Sequence, residues 1–344
     1  MLIFYFLLAI LILSSLKYSK SDFNGEYLSL EMTNAVKGIF ILLVFIKHAT
    51  PYVINAGWVP TGIWGELFNF VNNNVGQWIV AMFLFYSGYG VMESIKRKGH
   101  GYIQSLPRKR ILQVLVNFDI AVLIFIVVDI ILNKPLTIKQ CLLSLTGWES
   151  VGNSNWYIFI IMLMYLITFI AFYKEQSGKY KRPLLVAVSL TTIFSILLSY
   201  IKPEYWFNTM FCYTAGLCFS VYKDKIEAFA KSHYWQILIV TIISLLIIDR
   251  IPYHVKGLVY NTFSVMFCCL VFLLTMKFKI NSPILLWCGK NLFPLYIYQR
   301  IPMIVFSSIN DGIFAAGYPF LFTVASLIVT IFITKGYKYI SIKL

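Results

Sequence analysis

Long apolar segments recur along the whole chain, and they limit what it can fold into. A helix needs about 20 apolar residues to cross the roughly 30 Å hydrocarbon core of a bilayer. Apolar residues make up 59% of the 344 residues and charged residues only 12%, whereas soluble domains carry about 25% charged residues. The sequence therefore predicts an all-α, polytopic transmembrane helical bundle embedded in a lipid bilayer.

We predict about eleven spans and no soluble domain. The first and the seventh are short for a membrane crossing. The first has no positive residue before its apolar run and no clear cleavage site, so we expect a retained span and not a signal peptide. The predicted spans lie near residues 2–16, 34–54, 76–94, 111–132, 156–173, 184–201, 206–222, 235–252, 257–277, 284–306 and 317–335.

The positive charges are concentrated in alternate connections between these spans. Twenty of the 29 lysines and arginines fall in connections on one side, five fall on the other side and four lie inside spans. Because cytoplasmic loops are enriched in lysine and arginine, the richer side is predicted to be cytoplasmic, with the N-terminus out and the C-terminus in. We attribute the net charge of +15 to this topology and predict no nucleic-acid partner.

Lys37 and His48 are two ionisable residues in the second span, separated by ten residues that are almost all apolar. Ionisable side chains inside a bilayer are costly and are usually functional. Helix geometry leaves the two about 20° apart in azimuth and roughly 16 Å apart along the axis, on one face. Lys37 at the inner mouth suits a phosphorylated cytosolic ligand, and His48 in the outer half suits proton transfer. The alternative is a histidine that only donates a packing bond to a neighbouring helix.

Other parts of the sequence are less specific. The six cysteines fall mostly inside apolar spans without metal-ligand spacing, so we predict no metal site. The two longest connections, about 55–75 and 133–155, are predicted to be extracytoplasmic and are rich in Trp, Gly and Asn. They fit either a cap that binds a sugar or aromatic anchors at the membrane interface. His100, His233 and His254 lie in or near loops and are not expected to be catalytic.

Several motifs occur in a fixed order between residues 34 and 335, and as a set they resemble the integral-membrane acyltransferase-3 family of polysaccharide O-acetyltransferase type. The resemblance implies a ten-helix core with one extra N-terminal helix. The motifs are Lys37 with His48, the aromatic–Ser–Gly element at Ser87 and Gly88, SLPRKRILQV (105–114), NWYIFIIMLMY (155–165) and GKNLFPLYIYQ (289–299).

We accordingly divide the chain into three parts. Residues 1–33 are predicted to form the extra helix and a cytoplasmic connector, 34–335 the acyltransferase-3-like membrane domain, and 336–344 a short cytoplasmic tail. Two positions depart from the family pattern. The family's arginine is Lys37 here, which keeps the charge but loses the bidentate fork. The histidine often found after the late Leu-Tyr element is Gln299, which cannot act as a base.

The resemblance implies a multi-pass enzyme of the cell membrane, in bacteria the cytoplasmic membrane, that transfers an acyl group from acyl-CoA to a glycan or other hydroxyl acceptor. Acetyl-CoA is the default donor, and no metal is implied. His48 is the expected general base. The expected acyl-CoA-binding residues are Lys37, Lys290, Arg108 and Arg110. The expected acceptor-binding residues are Asn155, Trp156, Tyr157, Tyr296, Gln299 and Arg300.

Several of these residues fit a second role. Lys290 fits phosphate binding or snorkelling to the interface, and Arg300 fits substrate contact or an ion pair with Asp119 or Asp129. Asn155, Trp156 and Tyr157 fit an interfacial belt as well as a substrate site. Ser87 and Gly88 fit close helix packing better than a nucleophile, because small residues let helices approach.

Two competing functions remain open at the level of the sequence. One is a transporter or flippase of lipid-linked sugars, which would also have buried charges along a central path, although halves with corresponding broken helices are not visible. The other is a catalytically inactive relative that acts as a scaffold. The sequence does not identify the acceptor, the acyl group, the oligomeric state, or whether transfer is direct or passes through an acyl-enzyme.

Overall fold

The structure is a computed structural model that describes residues 1–20, 23–176, 178–251 and 256–344. His254 and the end of the span predicted at 235–252 lie outside these residues. The α-helices are α1 Leu2–Ser15, α2 Leu30–Asn55, α3 Gly62–Asn74, α4 Ala81–Lys98, α5 His100–Leu106, α6 Gln113–Ile131, α7 Ile138–Ser144, α8 Trp156–Phe172, α9 Lys181–Ile201, α10 Phe211–Val221, α11 Lys223–Ser232, α12 Tyr234–Asp249, α13 Lys256–Lys277, α14 Pro283–Lys290, α15 Leu292–Tyr298, α16 Arg300–Ser307, α17 Ile313–Gly317 and α18 Pro319–Ile340.

Shorter elements complete the fold. A π-helix over Pro107–Leu112 joins α5 to α6, and the two short strands β1 (Leu16–Tyr18) and β2 (Phe278–Ile280) pair antiparallel with Leu16 opposite Ile280. The 3-10 helices are Gln77–Val80, Glu204–Trp206 and Ile309–Gly312. The all-α helical bundle predicted from the sequence is therefore confirmed.

A helix occupies each of the eleven positions where a span is predicted. By length and composition, six helical segments of the described chain are long and apolar enough to cross a membrane: Leu30–Asn55, Gln77–Lys98, His100–Ile131, Lys181–Ile201, Val259–Lys277 and Pro319–Ile340. The helices α1 and α8 are apolar but shorter, and α11 and α12 are bent by 96° at their junction. The predicted number of crossings and the orientation in the membrane stay predictions.

Glycines set the closest helix contacts in the bundle. At Gly38 of α2 an added Cβ would lie 1.9 Å from the carbonyl oxygen of Leu285 in α14, and at Gly289 it would lie 1.8 Å from that of Asn34. The pair formed by α4 and α10 packs in the same way: an added Cβ at Gly88 or at Gly216 would lie 2.0 Å or 2.1 Å from a backbone carbonyl oxygen of the other helix. Removing Cβ lets two backbones approach, which is how membrane helices pack without a hydrophobic driving force between them.

Several contacts join helix ends that are predicted to lie on the same side of the membrane. Among the ends predicted to be cytoplasmic, β1 pairs with β2, and Lys279 forms an ion pair with Glu26 that holds the pKa of that carboxyl below its usual range. The Asn117 side chain exchanges hydrogen bonds with the backbone of Ile342, at 2.8 Å and 3.0 Å. All of these connections fall on the side where the sequence concentrates lysine and arginine.

The ends predicted to be extracytoplasmic also contact one another. Parts of the two long connections are helical there, as α3 and α7. Lys202 Nζ lies 3.9 Å and 4.4 Å from the ring centroids of Trp148 and Trp206, and it donates a 2.8 Å hydrogen bond to the Trp148 carbonyl. This cation–π contact ties the end of α9 to the loop before α8.

Candidate active site

An inner cavity of about 610 Å³ lies among the helix ends predicted to be cytoplasmic and extends into the bundle. Its volume is within the range of typical small-molecule sites, about 300–1,000 Å³. It is lined by Asn34, Lys37, Phe83, Ser87, Lys109, Arg110, Gln113, Val114, Asn117, Tyr157, Ile158, Ile161, Tyr165, Gly289, Lys290, Asn291, Leu292, Phe293, Pro294, Tyr296 and Tyr337.

The charges of the inner cavity all have one sign. Lys37, Lys109, Arg110 and Lys290 line it, and its described lining includes no carboxylate. A cavity with several cations and no acidic partner favours an anionic ligand, and charged hydrogen bonds to phosphate are among the strong ones. The lining therefore fits a phosphorylated molecule at this end of the bundle.

The π-helix carries two of these cations. Pro107 lacks the N–H that an α-helix would use at that position, and the chain winds more widely from Pro107 to Leu112. Such π-turns are frequent at functional sites. This turn brings Lys109 and Arg110 to the cavity, with Arg110 Nε donating to the Tyr102 hydroxyl at 3.2 Å. The basic motif SLPRKRILQV (105–114) is thus helical.

Lys37 enters the inner cavity from α2. Its Nζ donates to the Asn34 side-chain oxygen at 3.1 Å, and it lies 6.0 Å from the ring centroid of Tyr86. Asn34 also lines the cavity one turn earlier on the same helix face. The side-chain nitrogen is therefore held by a neutral partner, and no carboxylate of the described cavity lining competes with a ligand for it.

His48 does not line the inner cavity. It lies deep in the bundle, with its ring centroid 6.1 Å from that of Tyr296, which does line the cavity. Tyr296 in turn packs edge-on against Tyr157 at 5.3 Å. One layer of aromatic side chains therefore separates the cationic cavity from the histidine, although Lys37 and His48 share a helix.

A second group of polar side chains surrounds His48 on the outer side of this layer. Ser154 Oγ lies 3.5 Å from His48 Nδ1, and Arg300 donates to the Asn153 carbonyl at 3.5 Å. The Arg300 guanidinium also lies 5.8 Å from the ring centroid of Tyr52, one turn beyond His48 on α2. We call His48, Tyr52, Asn153, Ser154 and Arg300 the outer polar cluster.

Arg300 does not use either aspartate considered as its partner. Asp129 forms an ion pair with Lys134 at 3.2 Å, and within the described chain Asp119 has no ion pair. In the same ranges no carboxylate lies within ion-pair distance of Arg300. This leaves its charge free to act toward the outer polar cluster.

The other residues predicted for the site are distributed between these two regions. Lys290, Tyr157 and Ser87 join Lys37 and Arg110 in the cavity wall, whereas Arg108 is not part of it. Gln299 is buried next to Arg300 and donates to the Tyr296 carbonyl at 3.0 Å. The role of each residue stays a prediction.

Asn155, Trp156 and Gly88 lie outside the cavity wall. Asn155 donates to the Gly147 carbonyl at 2.9 Å, and Trp156 packs against Tyr157 and the exposed Tyr205. Gly88 faces the Tyr213 carbonyl, where an added Cβ would lie 2.0 Å from the oxygen. The packing role considered for Gly88 has a direct geometric basis.

Sequence reasoning did not single out several residues that the fold brings to these regions. Asn34 and Lys109 line the cavity, and Asn153 and Ser154 stand beside His48. A signal existed for Asn34, three residues before Lys37 on the same face. The connection containing Asn153 was noted only for its composition. No group of three or more metal-ligating side chains occurs among the residues described.

The fold and the cavity define a multi-pass membrane protein with a cationic cavity below a buried histidine. A family model described as an acyltransferase domain, Acyl_transf_3, matches residues 33–335. The chain therefore belongs to the acyltransferase-3 family, as its motifs predict. Comparison with curated proteins and with solved structures gave no match.

Proposed function

We propose that the protein is a membrane-bound O-acyltransferase that moves an acetyl group from cytoplasmic acetyl-CoA to a hydroxyl of a cell-surface or exported glycan. His48 acts as the general base. The proposal rests above all on the juxtaposition of a cavity lined by four cations with a buried histidine that is one aromatic side chain away. The active unit is the membrane domain of residues 34–335, in a bacterial cytoplasmic membrane.

The inner cavity binds the acyl donor in this scheme. Lys37, Lys109, Arg110 and Lys290 pair with the phosphates of acetyl-CoA near the predicted cytoplasmic end. The pantetheine arm then extends toward Tyr157 and Tyr296, whose rings close the cavity. Helix geometry places His48 roughly 16 Å above Lys37, which is of the order of the length of that arm.

The chemical step takes place at His48. An alcohol is a weak nucleophile at neutral pH, so the imidazole removes the hydroxyl proton as the oxygen attacks the thioester carbon. The C–O bond forms, the carbonyl electron pair moves to oxygen, and collapse breaks the C–S bond. The protonated imidazole then returns the proton to the leaving CoA thiolate. General-base assistance of this kind is worth about 10²–10⁴ in rate.

The acceptor approaches from the outer side. A row of ring contacts leads inward from the exposed Tyr205 through Trp156 and Tyr157 to Tyr296, beside His48. Aromatic faces and the amide-rich loop before α8 suit the mixed polar and apolar surface of a sugar. Asn155 and Gln299 support this path through their hydrogen bonds to Gly147 and Tyr296.

The direct test is to replace His48 by alanine and by glutamine. We expect ester acyl signals in the NMR spectrum of the surface polysaccharide to disappear in cells with either variant. The purified variants should also release CoA from acetyl-CoA at least 10²-fold more slowly than the unchanged protein. The exposed His233, at the bend between α11 and α12, supplies the matched control as His233→Ala.

Retention of glycan acylation in the His48→Ala cells would disprove the mechanism. Failure of the purified unchanged protein to consume acetyl-CoA would instead favour a flippase or a scaffold.

A further inference from the structure

Four polar atoms of the outer polar cluster and of residues that adjoin it are buried without a hydrogen-bond partner among the described residues. They are Asn153 Nδ2, the Tyr296 hydroxyl, Gln299 Oε1 and Arg300 Nε. Most buried polar groups in proteins are paired, since an unpaired group costs about 1–3 kcal/mol. A concentration of unpaired groups in one place therefore indicates that something else binds there.

Three of the four are hydrogen-bond donors. Asn153 Nδ2 and Arg300 Nε can only donate, and the Tyr296 hydroxyl can donate or accept. Tyr296 contacts the His48 ring, and Arg300 follows four residues later, so the two share a side of the helical run that they belong to. Asn153 precedes Ser154, which is 3.5 Å from His48 Nδ1, and its carbonyl accepts from Arg300. The donors thus surround the imidazole from α15, α16 and the loop before α8.

Arg300 differs from the other cation beside His48. Lys47 is the chain neighbour of His48, and Arg300 lies over the ring of Tyr52, one turn further along α2. Lys47 is directed toward α3, where its Nζ donates to the Asn72 carbonyl at 2.7 Å. Arg300 remains on the histidine side, stacked over Tyr52, and keeps its Nε–H unpaired.

We propose that Arg300 Nε–H and Asn153 Nδ2–H form the oxyanion site of the acyl transfer. As the acceptor oxygen attacks the thioester carbon and His48 takes its proton, negative charge develops on the former carbonyl oxygen. That oxygen accepts hydrogen bonds from the two donors until the C–S bond breaks and the C=O bond forms again. Donors that are fixed in a site with little water stabilise such charge strongly. This assignment rests on the proposed function.

The test compares three variants of the full-length protein purified in detergent, with acetyl-CoA as donor and water or maltotriose as probe acceptors. We expect Arg300→Gln to lower kcat by about 10²–10³, with the KM for acetyl-CoA and the Kd for desulfo-CoA changed less than threefold. Arg300→Lys, which keeps the positive charge but not the planar guanidinium, should lower kcat less than Arg300→Gln does. Lys47→Gln is the matched control and should stay within threefold of the unchanged protein.

Three outcomes would overturn the assignment. An unchanged kcat in Arg300→Gln would show that the guanidinium does not act in the transition state. A raised acceptor KM at constant kcat would make Arg300 an acceptor-binding residue only. An equal loss of kcat in Lys47→Gln would mean that Arg300 acts only through the positive charge that it shares with Lys47. Failure of the proposed function would give a different result. The unchanged protein would then release no CoA, or the His48→Ala variant would be as active as the unchanged protein.

If Arg300→Gln does not fold, as judged by its desulfo-CoA affinity, Asn153→Ala serves as the second variant. It should lower kcat by at least tenfold with the same unchanged KM, and full activity would overturn the assignment.

Discussion

At the scale of single residues, Lys37 and His48 have different surroundings although both belong to α2. Lys37 is held by Asn34 and faces the inner cavity, whereas His48 lies beyond Tyr296 in the outer polar cluster. A ligand that reaches from one to the other must pass the Tyr157–Tyr296 pair. The charge of the cavity and the chemistry at the histidine can therefore be tested separately.

Arg108 and Arg110 offer a matched pair for the donor site. Arg110 lines the inner cavity, while Arg108, two residues earlier, does not. We expect Arg110→Gln to raise the KM for acetyl-CoA about tenfold or more, because a hydrogen bond to a charged group contributes about 1.5–3 kcal/mol. Arg108→Gln should change it less than twofold.

Steady-state CoA release by the two purified variants measures this difference. Equal effects in both would mean that the basic segment acts through its overall charge and not through contact in the cavity.

At the scale of elements, the pairs α2–α14 and α4–α10 are the closest helix contacts, and each depends on glycines facing a backbone carbonyl. The first pair places Lys37 and Lys290 in one cavity wall. The second fixes α4, which supplies Phe83 and Ser87 to the same wall. The glycines of these two pairs thus shape the site without contributing any reactive group.

Gly88 and Gly90 test this role on one helix. A Cβ at Gly88 would lie 2.0 Å from the Tyr213 carbonyl oxygen, whereas at Gly90 nothing lies within 4 Å. We expect Gly88→Ala to destabilise the protein by about 1–3 kcal/mol through overpacking. Gly90→Ala should be neutral or slightly stabilising, since alanine favours a helix by roughly 1 kcal/mol.

Thermal unfolding in detergent compares the two variants. A Gly88→Ala protein with an unchanged Tm would contradict the packing role and would reopen the question of what this glycine does.

At the scale of the whole molecule, loops that the sequence assigns to one side contact one another. β1 pairs with β2, Ile342 pairs with Asn117, and Lys202 packs on Trp148 on the opposite side. Each of these contacts joins segments that the predicted alternation assigns to the same side. The absolute orientation follows from the positive charges alone.

Labelling with a membrane-impermeant maleimide tests that orientation. In a protein whose six cysteines are replaced by alanine, we introduce Lys139→Cys or Lys225→Cys, both at exposed positions. Cysteine at 139 should react in intact cells, and cysteine at 225 only after the membrane is opened. The reverse pattern would invert the topology and place the cationic cavity on the outer side, away from cytoplasmic acetyl-CoA.

The sequence by itself determined the class of fold, the position of each helix predicted as a span, the family and the central pair of Lys37 and His48. The fold class, the helix positions and the pair follow from local properties, since apolar length and helical spacing need no knowledge of neighbours. The family follows from the resemblance of its ordered motifs. The tertiary structure decided what each residue faces. It brought Asn34 and Lys109 into the cavity wall, left Arg108 outside and set Tyr296 between Lys37 and His48. It also left Arg300 without a carboxylate within the part of the chain described. These arrangements depend on how helices distant in sequence pack together, which the spacing of residues within one helix cannot specify.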